Sequence, residues 1–148
     1  MSSDNWGWVE RRYNRDKNLE RAEGLWQEAS AEIQADCKRF NILYASRGTT
    51  QAHPSQERLI ITVQDTGFPV PSRVATATVQ FNAASRSITS RVEKGEASGD
   101  ASYDKNFLID ADESHVFITY EGKEVSLDEF SRLAIEIALF KPTLPKRA

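Results

Sequence analysis

From Asp16 to Ser46 the apolar residues Leu19, Ala22, Trp26, Ala29, Ile33, Cys37, Phe40 and Tyr44 recur every three or four positions. That spacing predicts one long amphipathic helix with a single buried stripe. Glu20, Glu23, Glu28, Glu32, Lys38 and Arg39 fall on its other faces, and Gly48 stands just past its end as a C-cap candidate. Gly24 inside the stripe costs about 1 kcal/mol relative to alanine. It marks either a close approach to a neighbour or a tolerated cost.

After SRGTTQAHPSQE, read as a polar linker, the period changes from about 3.6 to about 2. Five strand-like runs follow: RLIITV, RVATATVQF, SITSRV, NFLID and HVFITYE. They predict an antiparallel meander. QDTGFPVPS interrupts the first pair, NAASR is short enough for a hairpin turn, and EKGEASGDASYD reads as a long acidic loop. In SLDE, Ser126 as N-cap with Glu129 makes a capping box, and Val125 and Phe130 are spaced for a hydrophobic staple. The helix that follows runs to about Phe140, with Leu127, Phe130, Leu133, Ala134 and Ile137 on one side and Pro142 as its stop.

The expected fold class is therefore α+β: a long N-terminal helix, a five-stranded antiparallel meander sheet and a C-terminal helix in a two-layer sandwich. Residues 1–15 form an aromatic and basic N-terminal segment, 16–142 a single domain, and 143–148 a short basic tail.

Composition changes this picture little. The 148 residues are 39% hydrophobic and 28% charged, ordinary for a globular chain. A net charge of −3 supplies no global attraction to phosphate, so nucleic acid or an anionic membrane would need a local basic patch. No apolar run has the length of a spanning helix, and MSSDNWGWVERRYNRD lacks the apolar core of a signal peptide. The one cysteine, Cys37, excludes an internal disulfide and a cysteine zinc cluster. These features read as a cytoplasmic protein.

The stretch DADESHVFITYE places Asp110, Asp112, Ser114 and Glu121 where a helix-loop-helix calcium loop has its oxygen ligands. The sixth position, however, is His115 where the loop needs glycine, and both flanks alternate as strands. ADES is better read as a solvated turn, and no metal or cofactor is expected. Cys37 continues the helix stripe as a packed thiol, and His53 sits in a polar loop before Pro54. GEASGD lacks the lysine and hydroxyl of a phosphate loop, and no hydrolase elbow, zincin helix or dinucleotide fingerprint is present. No enzymatic constellation results. The acidic run from Glu93 to Glu113 would repel nucleotides.

Two surfaces remain as candidates. WGWVERRYNRDK combines Trp6, Trp8 and Tyr13 with Arg11, Arg12 and Arg15, residue types that stack on bases and contact phosphate. Asp4, Glu10 and Asp16 dilute the charge, so the tryptophans are expected to dock on protein, either this chain's own body or a second copy. On the sheet, Leu59, Ile61, Val63, Ala75, Ala77, Val79, Phe81, Ile88, Val92, Val116, Ile118 and Tyr120 form one apolar face for the helices. The polar opposite face also carries Ile60, Val74, Leu108 and Phe117, which would make a patch if register aligns them. The expected function is a non-enzymatic protein-interaction module, an adaptor, chaperone-like or self-associating, that uses Trp6, Trp8, Ile60, Val74, Leu108 and Phe117. The alternative is a small-molecule binder or enzyme with a pocket between sheet and first helix, lined by Trp26, Tyr44, Tyr120 or His115.

Overall fold

The long apolar stripe folds as two helices in the computed structural model of the chain, which describes residues 7–45, 48–65, 72–96 and 99–140. Helix α1 (Trp8–Leu19) and helix α2 (Ala22–Leu43) are separated by a turn at Glu20 and Arg21. The single helix expected from Asp16 to Ser46 is thus corrected at both ends. The break has a physical reason, because the two halves dock on different surfaces. Ala22, Trp26, Ala29, Ile33, Cys37 and Phe40 of α2 are buried against the sheet, whereas Leu19 is the buried residue of α1. A Cβ at Gly24 would meet nothing within 4 Å, so this glycine marks no close approach. Gly24→Ala should raise stability by about 0.4–1 kcal/mol, largely by restricting the unfolded chain, read as a higher urea midpoint at unchanged slope.

The strands β1 (Gly48–Pro54), β2 (Arg58–Asp65), β3 (Ser72–Asn82), β4 (Ser87–Glu96), β5 (Gly99–Ala111), β6 (Val116–Tyr120) and β7 (Lys123–Val125) pair antiparallel in sequence order. The sheet curls into a half-barrel around α2 and α3 (Leu127–Leu139). Seven strands replace the five expected, and the curl replaces a plain two-layer sandwich. The meander itself stands.

Each missed strand lacks a hydrophobic signal. β1, expected as linker, is held by Asn41 of α2: its Oδ1 accepts from Thr50 N at 2.7 Å, and its Nδ2 donates to Thr50 O at 3.1 Å. One side-chain amide thereby covers the backbone groups of an edge strand. Gly48 is not a C-cap but opens β1, where a Cβ would come within 2.9 Å of Gln64 O. The expected acidic loop at 93–104 is mostly ladder, since β4 and β5 remain paired from Lys94↔Ala101 to Glu96↔Gly99. Lys94 on this segment donates to Ile137 O and Phe140 O at 2.7 Å each, so it caps the end of α3 instead of packing apolar surface. β7 is joined to β6 by Glu121 and Gly122, both at positive φ, the backbone of a two-residue hairpin.

The concave face matches the expected alternation. Trp26 stacks on Phe81, and Phe107 packs edge-on to Phe130, all four nearly inaccessible to solvent. Ser90, between Ile88 and Val92, also points inward, and its hydroxyl donates to Ala134 O at 2.8 Å. Ser126 caps α3 by accepting from Glu129 N at 3.1 Å. The Glu129 carboxylate binds Arg132. Pro142 and the tail 143–148 lie outside the described residues.

Candidate functional site

The turn that resembles a calcium loop is the dock for α1. Arg15 Nε donates to Ala111 O at 3.1 Å and its Nη2 to Asp110 Oδ1 at 2.8 Å. Asn18 Nδ2 donates to Asp112 O at 2.9 Å, and Arg11 Nε lies 3.9 Å from Glu113 Oε1. Positions 11, 15 and 18 share one helix stripe, so the stripe faces the turn from Asp110 to Glu113. Asp112 is occupied as well, because its Oδ1 accepts from Ser114 N and His115 N. Glu121 stands beyond the far end of β6 in the hairpin to β7. The residues at the calcium-loop positions are therefore parted, with Asp110 and Asp112 engaged in protein contacts.

The clasp is polar and half-exposed. Exposed ion pairs contribute only about 0–1 kcal/mol each, so α1 is a local unit of low stability beside the cooperative sheet. The Ala111 N–H and then the Arg15 guanidinium hold the Asp110 carboxyl below its ordinary value of 3.8. A lowered folded pKa means the contribution is present above the unfolded value and lost as pH falls through the folded one. Below about pH 4, amide protection of residues 8–19 should fall before that of β2–β4, and Asp110→Asn should remove this step from the hydrogen-exchange profile. At the opposite sign, Glu124 and then Asp112 raise His115 above 6.5, so that bridge is present at lower pH and fades as pH rises through the raised value.

Docked in this way, α1 buries Leu19 and leaves Trp8, Val9 and Tyr13 exposed. Trp8 is 72% exposed, Val9 57% and Tyr13 59%, with Lys17 Nζ 5.8 Å from the Tyr13 ring centroid. Trp8 does not dock on the body of its own chain, contrary to one form of the expectation. Its basic neighbours are engaged locally: Arg12 pairs with Asp16 at 3.2 Å, and Arg11 and Arg15 reach the turn. Trp6 lies outside the described residues.

The other expected contact residues do not form one patch. Leu108 is exposed and Phe117 half-buried on the outer face, and they are diagonal neighbours because Leu108 pairs with Thr119 and Asp110 with Phe117. The Phe117 ring lies 4.9 Å from that of His115. Ile60 stands apart, in the cross-strand row Ile60, Thr78, Arg91 and Asp104. Val74 falls at the β-bulge, where pairing skips from Ala75 to Arg73, and its side chain lies outside the described residues. Asp110 links the two surfaces, since it faces Phe117 across the ladder and binds Arg15. The partnership of Arg11, Arg15 and Asn18 with the turn was missed in the sequence. Its only signal was a basic stripe and an acidic turn about ninety-five positions apart.

The residues named for a pocket under the first helix are dispersed. Trp26 is fully buried, with Nε1 donating to Gln56 O at 2.9 Å. Tyr120 packs on Phe107, and His115 is in the exposed turn. Tyr44 stacks on Phe40 at the edge of an open cleft of about 280 Å³ between α2 and α3, floored by Ile135, Leu139 and Phe140. Cys37 is no candidate nucleophile, since burial pushes its thiol up to about 11.

No family model, curated protein or solved structure matches the chain. Among the described residues no helix is long and apolar enough to cross a membrane. Function must be argued from the surfaces themselves.

Proposed function

We propose that this chain is a non-enzymatic protein-interaction module whose contact surface is the exposed N-terminal half of α1, centred on Trp8, Val9 and Tyr13. The observation that carries the reading is their joint exposure on a helix held to the sheet by Arg11, Arg15 and Asn18: Val9 and Tyr13 lie opposite that stripe, and Trp8 continues it one turn before Arg11. Tryptophan and tyrosine are the side chains most enriched among residues that dominate interface energetics. A helix already folded and oriented loses little freedom on binding. Leu108 and Phe117, next to the clasp on the outer face, extend the surface toward the sheet. The partner is another protein or a second copy of this chain. Intramolecular pairing of Arg11, Arg12 and Arg15 weighs against nucleic acid.

Wild type, Trp8→Ser/Tyr13→Ser and Phe117→Lys, purified side by side from the native host, test this directly. A protein retained in stoichiometric amount with wild type should be lost from the α1 variant and depleted with Phe117→Lys, while circular dichroism is unchanged in both. Identical co-purifying species and molar mass for wild type and the α1 variant would overturn the proposal.

A further inference from the structure

Where α2 and α3 meet, at the α2–α3 cleft lined by Asp36 and Asp128, stands a second cluster that the interaction surface does not use. One carboxylate oxygen from each of Glu32, Asp36 and Asp128 lies within 4.8 Å of the other two. Glu32 and Asp36 are successive turns of α2, and Asp128 comes from the first turn of α3, so the cluster exists only because these helices pack together. Three carboxylates share one directly bound guanidinium. Arg39 Nη1 contacts Asp36 and lies 3.5 Å from Glu32, whereas Asp128 has no ion pair among the described residues. Arg132 is bound to Glu129 and Glu136.

An independent observation points to a missing oxygen partner. Ser131 lies one turn beyond Asp128, lines the same cleft as Asp36 and Asp128, and is 1% exposed. Its Oγ has no hydrogen-bond partner among the described residues. A buried hydroxyl left unsatisfied costs about 1–3 kcal/mol unless a water or ion supplies the partner.

We infer that Glu32, Asp36, Asp128 and Ser131 form a site for a hard divalent cation that ties α2 to α3. All four donors are oxygens, the ligand type such ions take. Oxygens within 4.8 Å of one another can reach a common ion of either size, calcium or magnesium. Arg39, which is largely exposed, is the competitor that the ion displaces. No metal ligand is legible in the sequence here, because the spacing Glu32 to Asp36 alone is that of any solvated helix face.

The test uses the full chain after chelation, titrated calorimetrically with calcium and then magnesium at constant ionic strength. Calcium should bind saturably with a dissociation constant of about 10⁻⁴–10⁻³ M. Asp128→Asn should weaken it about tenfold or more, Arg39→Gln should tighten it, and Asp104→Asn, a charge-matched change on the outer face, should leave it unchanged. Manganese, as a paramagnetic probe, should broaden amide signals around residues 32, 36, 128 and 131. No saturable binding in the millimolar range, affinity unaltered by Asp128→Asn, or broadening centred on Asp110–Glu113 would each overturn the assignment. In the first case Ser131 takes an ordinary water.

Discussion

Trp26→Ala should cost about 3–5 kcal/mol of stability, the usual penalty for emptying a large aromatic site in a packed core. For a domain of this size that lowers the thermal midpoint by roughly 6–20 °C. The ring is fully buried, lies 5.9 Å from the Phe81 centroid and is tied by its N–H to Gln56 O. Truncation therefore removes packing from the centre of the half-barrel and one of the two side-chain donors to Gln56 O, the other being Gln27 Nε2 at 3.2 Å. The same substitution separates the two functional readings. A tryptophan lining a ligand pocket would have an accessible face, and its loss would impair ligand binding more than folding. Denaturant titration of Trp26→Ala checks this, and a loss of less than about 1 kcal/mol would show that the centre is not close-packed.

The second large effect lies on binding rather than stability. Trp8→Ala should leave the unfolding midpoint unchanged within about 0.5 kcal/mol, because an exposed substitution removes no core contact. Affinity for the partner should fall by about 30-fold or more, the free energy of an aromatic residue that dominates an interface being about 2 kcal/mol or above. Arg15→Ala should behave differently. It leaves Trp8 in place but releases the helix from Asp110 and Ala111 O, so binding weakens because an ordered surface becomes a mobile one. Calorimetry with the purified partner distinguishes the two, since the Arg15 variant should show a more unfavourable binding entropy.

What could be read in the sequence follows from where hydrophobicity carries the fold. β2, the centre of β3, β4 up to Val92, and β6 alternate because one face of each packs on α2 or α3, and the Ser126 cap is local chemistry between residues three apart. β1 was illegible because its pairing depends on Asn41 and on Thr50, whose hydroxyl donates to Cys37 O at 3.3 Å, polar contacts that leave no periodic trace. The extension of β4 and β5 was hidden for a related reason, since Lys94 faces a helix end there and the alternation turns polar on both sides. The break between α1 and α2 could not be seen because Leu19 and Ala22 keep the stripe continuous while its two halves pack on different surfaces. Of the candidate contact residues, the exposure of Leu108 and the outward position of Phe117 follow from the strand alternation, whereas the exposure of Trp8 does not follow from any pattern in the sequence. Alignment with Ile60 depended on register, and register set Thr78, Arg91 and Asp104 beside it.

The claim that α1 is a contact surface meets its most direct test in a photoreactive residue placed at position 8 and irradiated in cells of the native host, beside the same residue at Lys123 in exposed β7. The account predicts one discrete adduct from position 8, either a dimer of this chain or one defined partner. That adduct should be abolished by Val9→Asp/Tyr13→Asp and absent from position 123. No adduct from position 8, or the same adducts from both positions, would contradict it.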